Sequence, residues 1–425
     1  MRRVLGERGA LLAAVALFVG ALLVALLRVV ALSPGSGAGG LHLGADWAMV
    51  DFRAVIYEPT TALLRGVNPY AELNPPYLPS NLLLHLPFGL LPLDWSQLAY
   101  AAISVGLMLG IAYLTVRLTG SKGTAATVFL VAALLTLSRP GQWNLLLGQV
   151  TLQAVLASYV ALRYAPHAPL LSGIALAVST FKPSFGIPLA ILMLARGNTR
   201  AVVIAVVAAL CLNLPVVAAL VHVAGGVGPL VESTLRGYGA WSTHPDVSAA
   251  SSSYRLDGAA ILGRLVGPLG VVGQLVVGAI VLGTAALALR RIDKLGRRDT
   301  AGLADGIVFS AVLLSVYHMG YDLILLTLPA VAVARRQLPA SIERPHLRTV
   351  LLALFALLGA NYGASRSVIE RLGPGSPLST IVALINGLLL SAVFALFVSA
   401  AFAAARRSES EVADGGLALS RPASA

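Results

Sequence analysis

Of 425 residues, 57% are hydrophobic and 11% charged, and the mean hydropathy of +0.85 lies far above that of soluble globular domains. The net charge of +12 does not point to nucleic acid, because the basic residues stand in short clusters between apolar runs, as on cytoplasmic loops facing anionic lipid. The lone Cys211 excludes an intramolecular disulfide and a cysteine-based metal site; inside its apolar run it reads as a small packed hydrophobe.

The chain opens with Arg2, Arg3 and Arg8 ahead of the apolar stretch 10–32. That stretch is too long for the hydrophobic region of a signal peptide and more spans follow, so it reads as a retained helix. Onward from it, about twelve spans are expected, the basis of an all-α integral membrane fold. They are 10–32, 95–116, 123–138, 144–162, 168–181, 184–195, 201–224, 258–289, 302–317, 321–334, 347–363 and 378–404. Several are shorter than the ~20 residues of a full crossing. The pairs 168–181/184–195 and 302–317/321–334 are therefore expected as short helices or broken hairpins.

Charge orients the bundle. With the N-terminus inside, Arg117 and Lys122, Arg163, Arg196 and Arg200, then the clusters 290–298 and 335–348, and finally Arg406 and Arg407 all fall on the inner side. The outer loops are longer and poorer in Lys and Arg for their length. The reading places the chain in the plasma membrane with both termini cytoplasmic. Residues 1–405 form one multi-span domain and the polar stretch 406–425 a disordered tail. Cysteines introduced at Ser36, Ser248 and Ser376 should react from outside with an impermeant thiol reagent, and ones at Ser121 and Ser408 should not. Labelling at Ser121 in intact cells would overturn the topology.

With this orientation the unusual polar residues collect on the outer side. The first outer loop, 33–81, is polar, rich in Pro and Gly, and holds Asp46 and Asp51. Its segment PTTALLRG, 59–66, has Pro where a helix starts and Gly where it ends, and suits a short interfacial helix. An Asp just before it would sit at headgroup depth, where an ionised carboxylate can meet a lipid-linked substrate; a loop or capping role is the plainer alternative. Asp94, followed by Gln97, reads as a helix cap without chemistry. Lys182 interrupts the apolar stretch 168–195, where a central Lys would cost roughly 2.5–3.5 kcal/mol. Pro183 favours a turn there that brings the ammonium to the outer face, to meet an anion or to snorkel. His318 and Asp322, four residues apart in YHMGYD, share a face if helical. Gln149 is a polar residue in an apolar span, suited equally to helix–helix bonding. Arg236 and Arg255 lie in the loop 225–256, where His244-Pro-Asp246 is too thin for a metal site.

These residues resemble a known family. Asp51-Phe52, Tyr57 and the run Leu63 to Tyr70 with Asn68 look like the first-loop signature of glycosyltransferase family 87, GT-C-type membrane enzymes that use polyprenyl-phosphate sugars. Pro75-Pro76-Tyr77, Leu86-Pro87-Phe88-Gly89, Gly148-Gln149-Val150, Phe181-Lys182-Pro183 and His318 with Tyr321-Asp322 continue it in order. The similarity spans residues 46 to about 335, each motif weak alone and the series fairly specific. The Pro-Pro-Tyr order at 75–77 departs from the commoner Tyr-Pro-Pro.

The resemblance implies a GT-C-like fold whose long first loop carries short interfacial helices. It also implies transfer of a sugar, with mannose the first expectation, from a polyprenyl-phosphate donor to a glycolipid or lipoglycan acceptor at the membrane. Displacement of a lipid phosphate by an alcohol needs a base and a cation at the leaving group. Asp51 maps to the base and His318 to a supporting residue. Lys182, Arg255 and Arg236 are assigned to the donor phosphate. Asp46, Tyr57, Asn68, Tyr70, Gln149, Tyr321 and Asp322 are assigned to substrate. No cofactor and no resident metal are expected, although the residues leave a divalent metal open, and nucleic acid is not an expected partner. An arabinofuranosyltransferase of the same family is the alternative activity. A transporter or flippase is the rival from another class, set back because its polar groups would gather at midplane between repeated halves.

Overall fold

Backbone N–H and C=O groups in hydrocarbon must be bonded within their own segment, which favours helix throughout a spanning chain. The computed structural model describes residues 2–31, 49–73, 75–120, 124–249, 251–294, 302–338, 345–364, 366–373 and 375–418. Every regular element among them is helical, and an isolated antiparallel bridge joins Arg255 to Met319.

Five segments are long and apolar enough to cross a membrane: Glu7–Arg28, Leu93–Leu118, Thr199–Ala224, Val271–Lys294 and Pro377–Arg407. Thr199–Ala224 is a clear case: in an 18-residue stretch of it only 22% of the residues are buried, against a mean hydropathy of 2.6. Outward-facing side chains as apolar as Val203, Val207 and Leu214 need hydrocarbon around them. Cys211 stands on this same exposed helix rather than in the packed core expected for it. In contrast, every residue of the helix Leu303–Ser315 is buried, including Asp305, whose carboxylate is ion-paired with Arg163. Glycines let its neighbours close in: a Cβ on Gly306 would lie 2.5 Å from the Phe397 ring.

Length alone does not reach twelve spans, because several expected runs are broken. The run 144–162 divides into Arg139–Leu147 and Thr151–Tyr164, with Gly148 at φ +68° ending the first. The run 258–289 divides into Gly258–Val266 and Val271–Lys294, interrupted by Gly267 at φ +103° and Pro268. Gly148-Gln149 and Gly267-Pro268 mark both breaks in the sequence, but a hydropathy average passes over them. The two expected broken pairs occur: Pro169–Ser179 turns into Pro183–Ala195, and Leu303–Ser315 is followed by a 3₁₀ turn Gly320–Leu326 and the helix Thr327–Ala334.

The short helix expected at 59–66 spans Glu58–Leu64 with Gly66 in the left-handed region behind it, and Leu64 is exposed. Asp94 sits inside the first turn of Leu93–Leu118 instead of capping it. The loop after Ala224 contains an unforeseen amphipathic helix, Val227–Thr243. The final helix continues past Arg406 to Ala418; the rest of the expected tail, and Asp46, lie outside the described residues.

Candidate active site

Asp51 stands at the start of a π-helical turn, Phe52–Tyr57. Two packing constraints hold it there. Met49, with a left-handed φ of 53°, donates its N–H to the Leu146 carbonyl at 2.7 Å. A Cβ on Gly148 would come within 2.6 Å of the Phe52 Cβ, so the backbone can approach only because that residue is Gly. The next side chain, Gln149, donates its amide to Asp51 Oδ2. Among the described residues Oδ1 accepts no hydrogen bond. Burial pushes the Asp51 carboxyl up from 3.8 to about 6, opposed by the nearby Lys182 charge and the Gln149 hydrogen bond.

Lys182 owes its position to the turn between two short helices. Pro183 holds the preceding residue in an extended conformation, φ −101° and ψ 92°. The turn is tight because Gly186 lies against Thr180, leaving 2.3 Å for a Cβ. The first loop docks on this turn through the Leu78 N–H to the Phe181 carbonyl, 3.1 Å. Lys182 Nζ donates to Asp322 Oδ1 at 2.6 Å and to Thr151 Oγ1 at 2.7 Å, and lies 4.9 Å from the centroids of Phe185 and Tyr321. Only 3% of its side chain is exposed, so the charge rests on the Asp322 carboxylate rather than on solvent.

Asp322 is saturated. Its Oδ1 takes Lys182 and the Thr151 hydroxyl, the latter at 2.8 Å; its Oδ2 takes His318 Nδ1 at 2.9 Å and the Met319 N–H at 3.0 Å. His318 is fully buried, and its Nε2 faces the Ser184 carbonyl at 3.0 Å. Both ring nitrogens thus face oxygens of the protein. The turn that carries them is tied to the segment 251–257 by the Leu256 N–H to the His318 carbonyl and the Gly320 N–H to the Tyr254 carbonyl, each 3.1 Å.

The structure therefore brings Asp51, Gln149, Lys182, His318, Tyr321 and Asp322 together, and Tyr77 and Tyr317 join them within electrostatic reach of both carboxylates. Other expected residues make their hydrogen bonds outside this cluster. Arg255 forks onto Asp257 at 2.8 and 2.9 Å and donates to the Val247 carbonyl. Arg236 is exposed and paired with Glu232 on its own helix. Tyr57 donates to the Leu91 carbonyl at 3.1 Å. Asn68 caps Pro69–Glu72 and donates to Ser233 at 3.1 Å, while the Tyr70 hydroxyl donates to the Tyr77 carbonyl at 3.0 Å. These three give the loop its shape.

Thr151 and Asn144 went unremarked in the sequence. Thr151 links Lys182 to Asp322, and Asn144 donates to the Tyr321 carbonyl at 2.9 Å. Their signal was faint, polar side chains within two turns of Gln149 in an apolar run. For a metal, the described residues hold no group of three His, Cys, Asp or Glu side chains.

A helical membrane bundle with one carboxylate left open beside a buried ion pair defines a class, not a reaction. Residues 76–316 match the model of glycosyltransferase family 87, and the chain belongs to that family. It is a membrane glycosyltransferase, which has a sugar donor and an acceptor. Gln149 and Lys182 lie within the match, Asp51 ahead of it, and His318 and Asp322 just beyond. No curated protein and no solved structure matches the chain.

Proposed function

We propose that the chain is an inverting mannosyltransferase that uses a polyprenyl-phosphate mannose donor at the extracytoplasmic face and glycosylates a glycolipid or cell-envelope glycan, with Asp51 as base. The observation that carries this reading is the contrast between two carboxylates. Asp322 has both oxygens engaged by donors; among the described residues Asp51 keeps one oxygen open, and it is tuned toward neutrality. In the step, Asp51 takes the proton of the acceptor hydroxyl as its oxygen attacks the anomeric carbon. The bond from that carbon to the phosphate oxygen breaks, and the polyprenyl phosphate leaves with the bonding electrons. A single displacement inverts the centre, so a β-linked donor gives an α-glycoside. His318 acts as a positioning residue: it holds Asp322, which holds Lys182, whose charge helps keep Asp51 ionised.

Polyprenyl phosphate as the carrier is supported by the resemblance of the first-loop motif to glycosyltransferase family 87, and mannose as the sugar by that family's including mannosyltransferases that elongate phosphatidylinositol mannosides and lipomannan. Membranes containing the protein should transfer radiolabel from polyprenyl-phosphate mannose to a glycolipid sensitive to α-mannosidase. Label arriving only from polyprenyl-phosphate arabinofuranose would make the enzyme an arabinofuranosyltransferase. Label from neither would sink the donor assignment.

A further inference from the structure

The cations expected at a departing phosphate each have an acid of their own: Lys182 with Asp322, Arg255 with Asp257, Arg236 with Glu232. Arg139 has none. It opens the helix Arg139–Leu147 and is half-buried. Its guanidinium lies 4.0 Å from the Trp143 ring centroid and 5.7 Å from that of Tyr362. Arg28 approaches the same Tyr362 ring at 5.0 Å and donates to the Gln142 side-chain carbonyl. Among the described residues the ionisable groups acting on Arg139 are Tyr362, Arg28 and Tyr254, with no carboxylate among them, and burial pushes it down to about 10.

Two arginines sharing one aromatic ring, one of them partly desolvated, form an arrangement that a bound anion completes. An open recess is lined by Arg139, Trp143, Tyr254, Asn361 and Asn386, with Leu358 at its apolar side. The two Asn side chains are bonded to each other at 2.8 Å. The recess adjoins the Asp51 cluster. Gly320 lines it, the Trp143 ring lies 6.5 Å from that of Tyr321, and Tyr321 covers Lys182. A planar guanidinium fixed by stacking suits two oxygens of one phosphate better than a flexible ammonium does.

We infer that Arg139, assisted by Arg28, binds the phosphate group of a lipid substrate in this recess. The inference rests on the transfer reaction proposed above. The same chemistry is offered by the phosphate of a polyprenyl donor and by the headgroup phosphate of a phospholipid acceptor, and one experiment separates them. The full-length protein is placed in nanodiscs of neutral phosphatidylcholine. Binding of sugar-free polyprenyl phosphate and of phosphatidylinositol is then measured for the parent, Arg139→Gln and Arg139→Lys. Arg139→Gln should weaken one of the two lipids by about tenfold or more, and the lipid affected names the source. Arg139→Lys keeps a charge without the stacked fork and should fall between; it also decides the matter if Arg139→Gln does not fold. Parent-like affinity for both lipids in the folded variants, or a parent that binds neither lipid, overturns the site. Because the probes carry no sugar, the two readings fail separately. Binding through Arg139 without mannose transfer sinks the donor assignment alone. Mannose transfer with Arg139-independent binding sinks this site alone.

Discussion

Replacing Asp51 with Asn should lower turnover by at least ~10²-fold while leaving expression and donor binding in place, because an amide keeps the shape and can still accept from Gln149 but cannot take a proton. The pH profile gives a second readout with a definite sign. A carboxyl raised to about 6 is protonated below that pH, so kcat/KM should fall on the acid side of about 6 and level off above it. The Gln149 hydrogen bond favours the charged carboxylate, so Gln149→Leu should move this acid limb to higher pH. A limb that stays put in Gln149→Leu would detach the titration from Asp51. An active Asp51→Asn beside a dead Asp46→Asn would show that the base is the other carboxylate of the loop.

Lys182→Met should be the most damaging change to stability. The sequence alone suggested weaker donor binding with sugar preference unaltered. The structure adds a larger effect, because the substitution strands Asp322, a fully buried carboxylate whose partner lies 2.6 Å away. Breaking such a pair from one side costs about 3–5 kcal/mol. The melting temperature of Lys182→Met should drop sharply. Adding Asp322→Asn removes the stranded charge and should restore much of the loss. If the double variant melts no higher than Lys182→Met, the pair is not what the ammonium contributes. Where the double variant folds, donor affinity can be measured without a folding defect. Parent-like affinity there would remove Lys182 from phosphate binding and leave it the role of holding charge beside Asp51.

Much of the site could be read along the chain, though the relations among its residues could not. Asp51 stood out as a carboxylate in the polar first loop, Gln149 and Lys182 as polar groups within apolar runs, and His318 and Asp322 as polar groups at a turn between two of them. That Lys182 would spend its charge on Asp322, 140 residues away, was not visible, because the pairing depends on how two broken helical pairs pack. Arg139 left a signal that charge counting passed over. In the expected topology it is an arginine in a very short outer turn, against the rule that places such residues inside.

Class and general architecture were determined by the sequence itself. Hydropathy, the clustering of basic residues and helix-breaking Pro and Gly are local properties, and they suffice for an all-helical membrane chain with a polar first loop. Helix continuity was decided elsewhere: the breaks at Gly148 and Gly267 depend on backbone conformation, which an apolar average cannot register. Tertiary structure alone decided which carboxylate is left open. Asp51 meets Gln149 across 98 residues and Asp322 meets Thr151 across 171, so the one stays half-engaged and the other saturated. Hydrogen-bond satisfaction is a property of the packed neighbourhood, and residue type sets only how many bonds are possible.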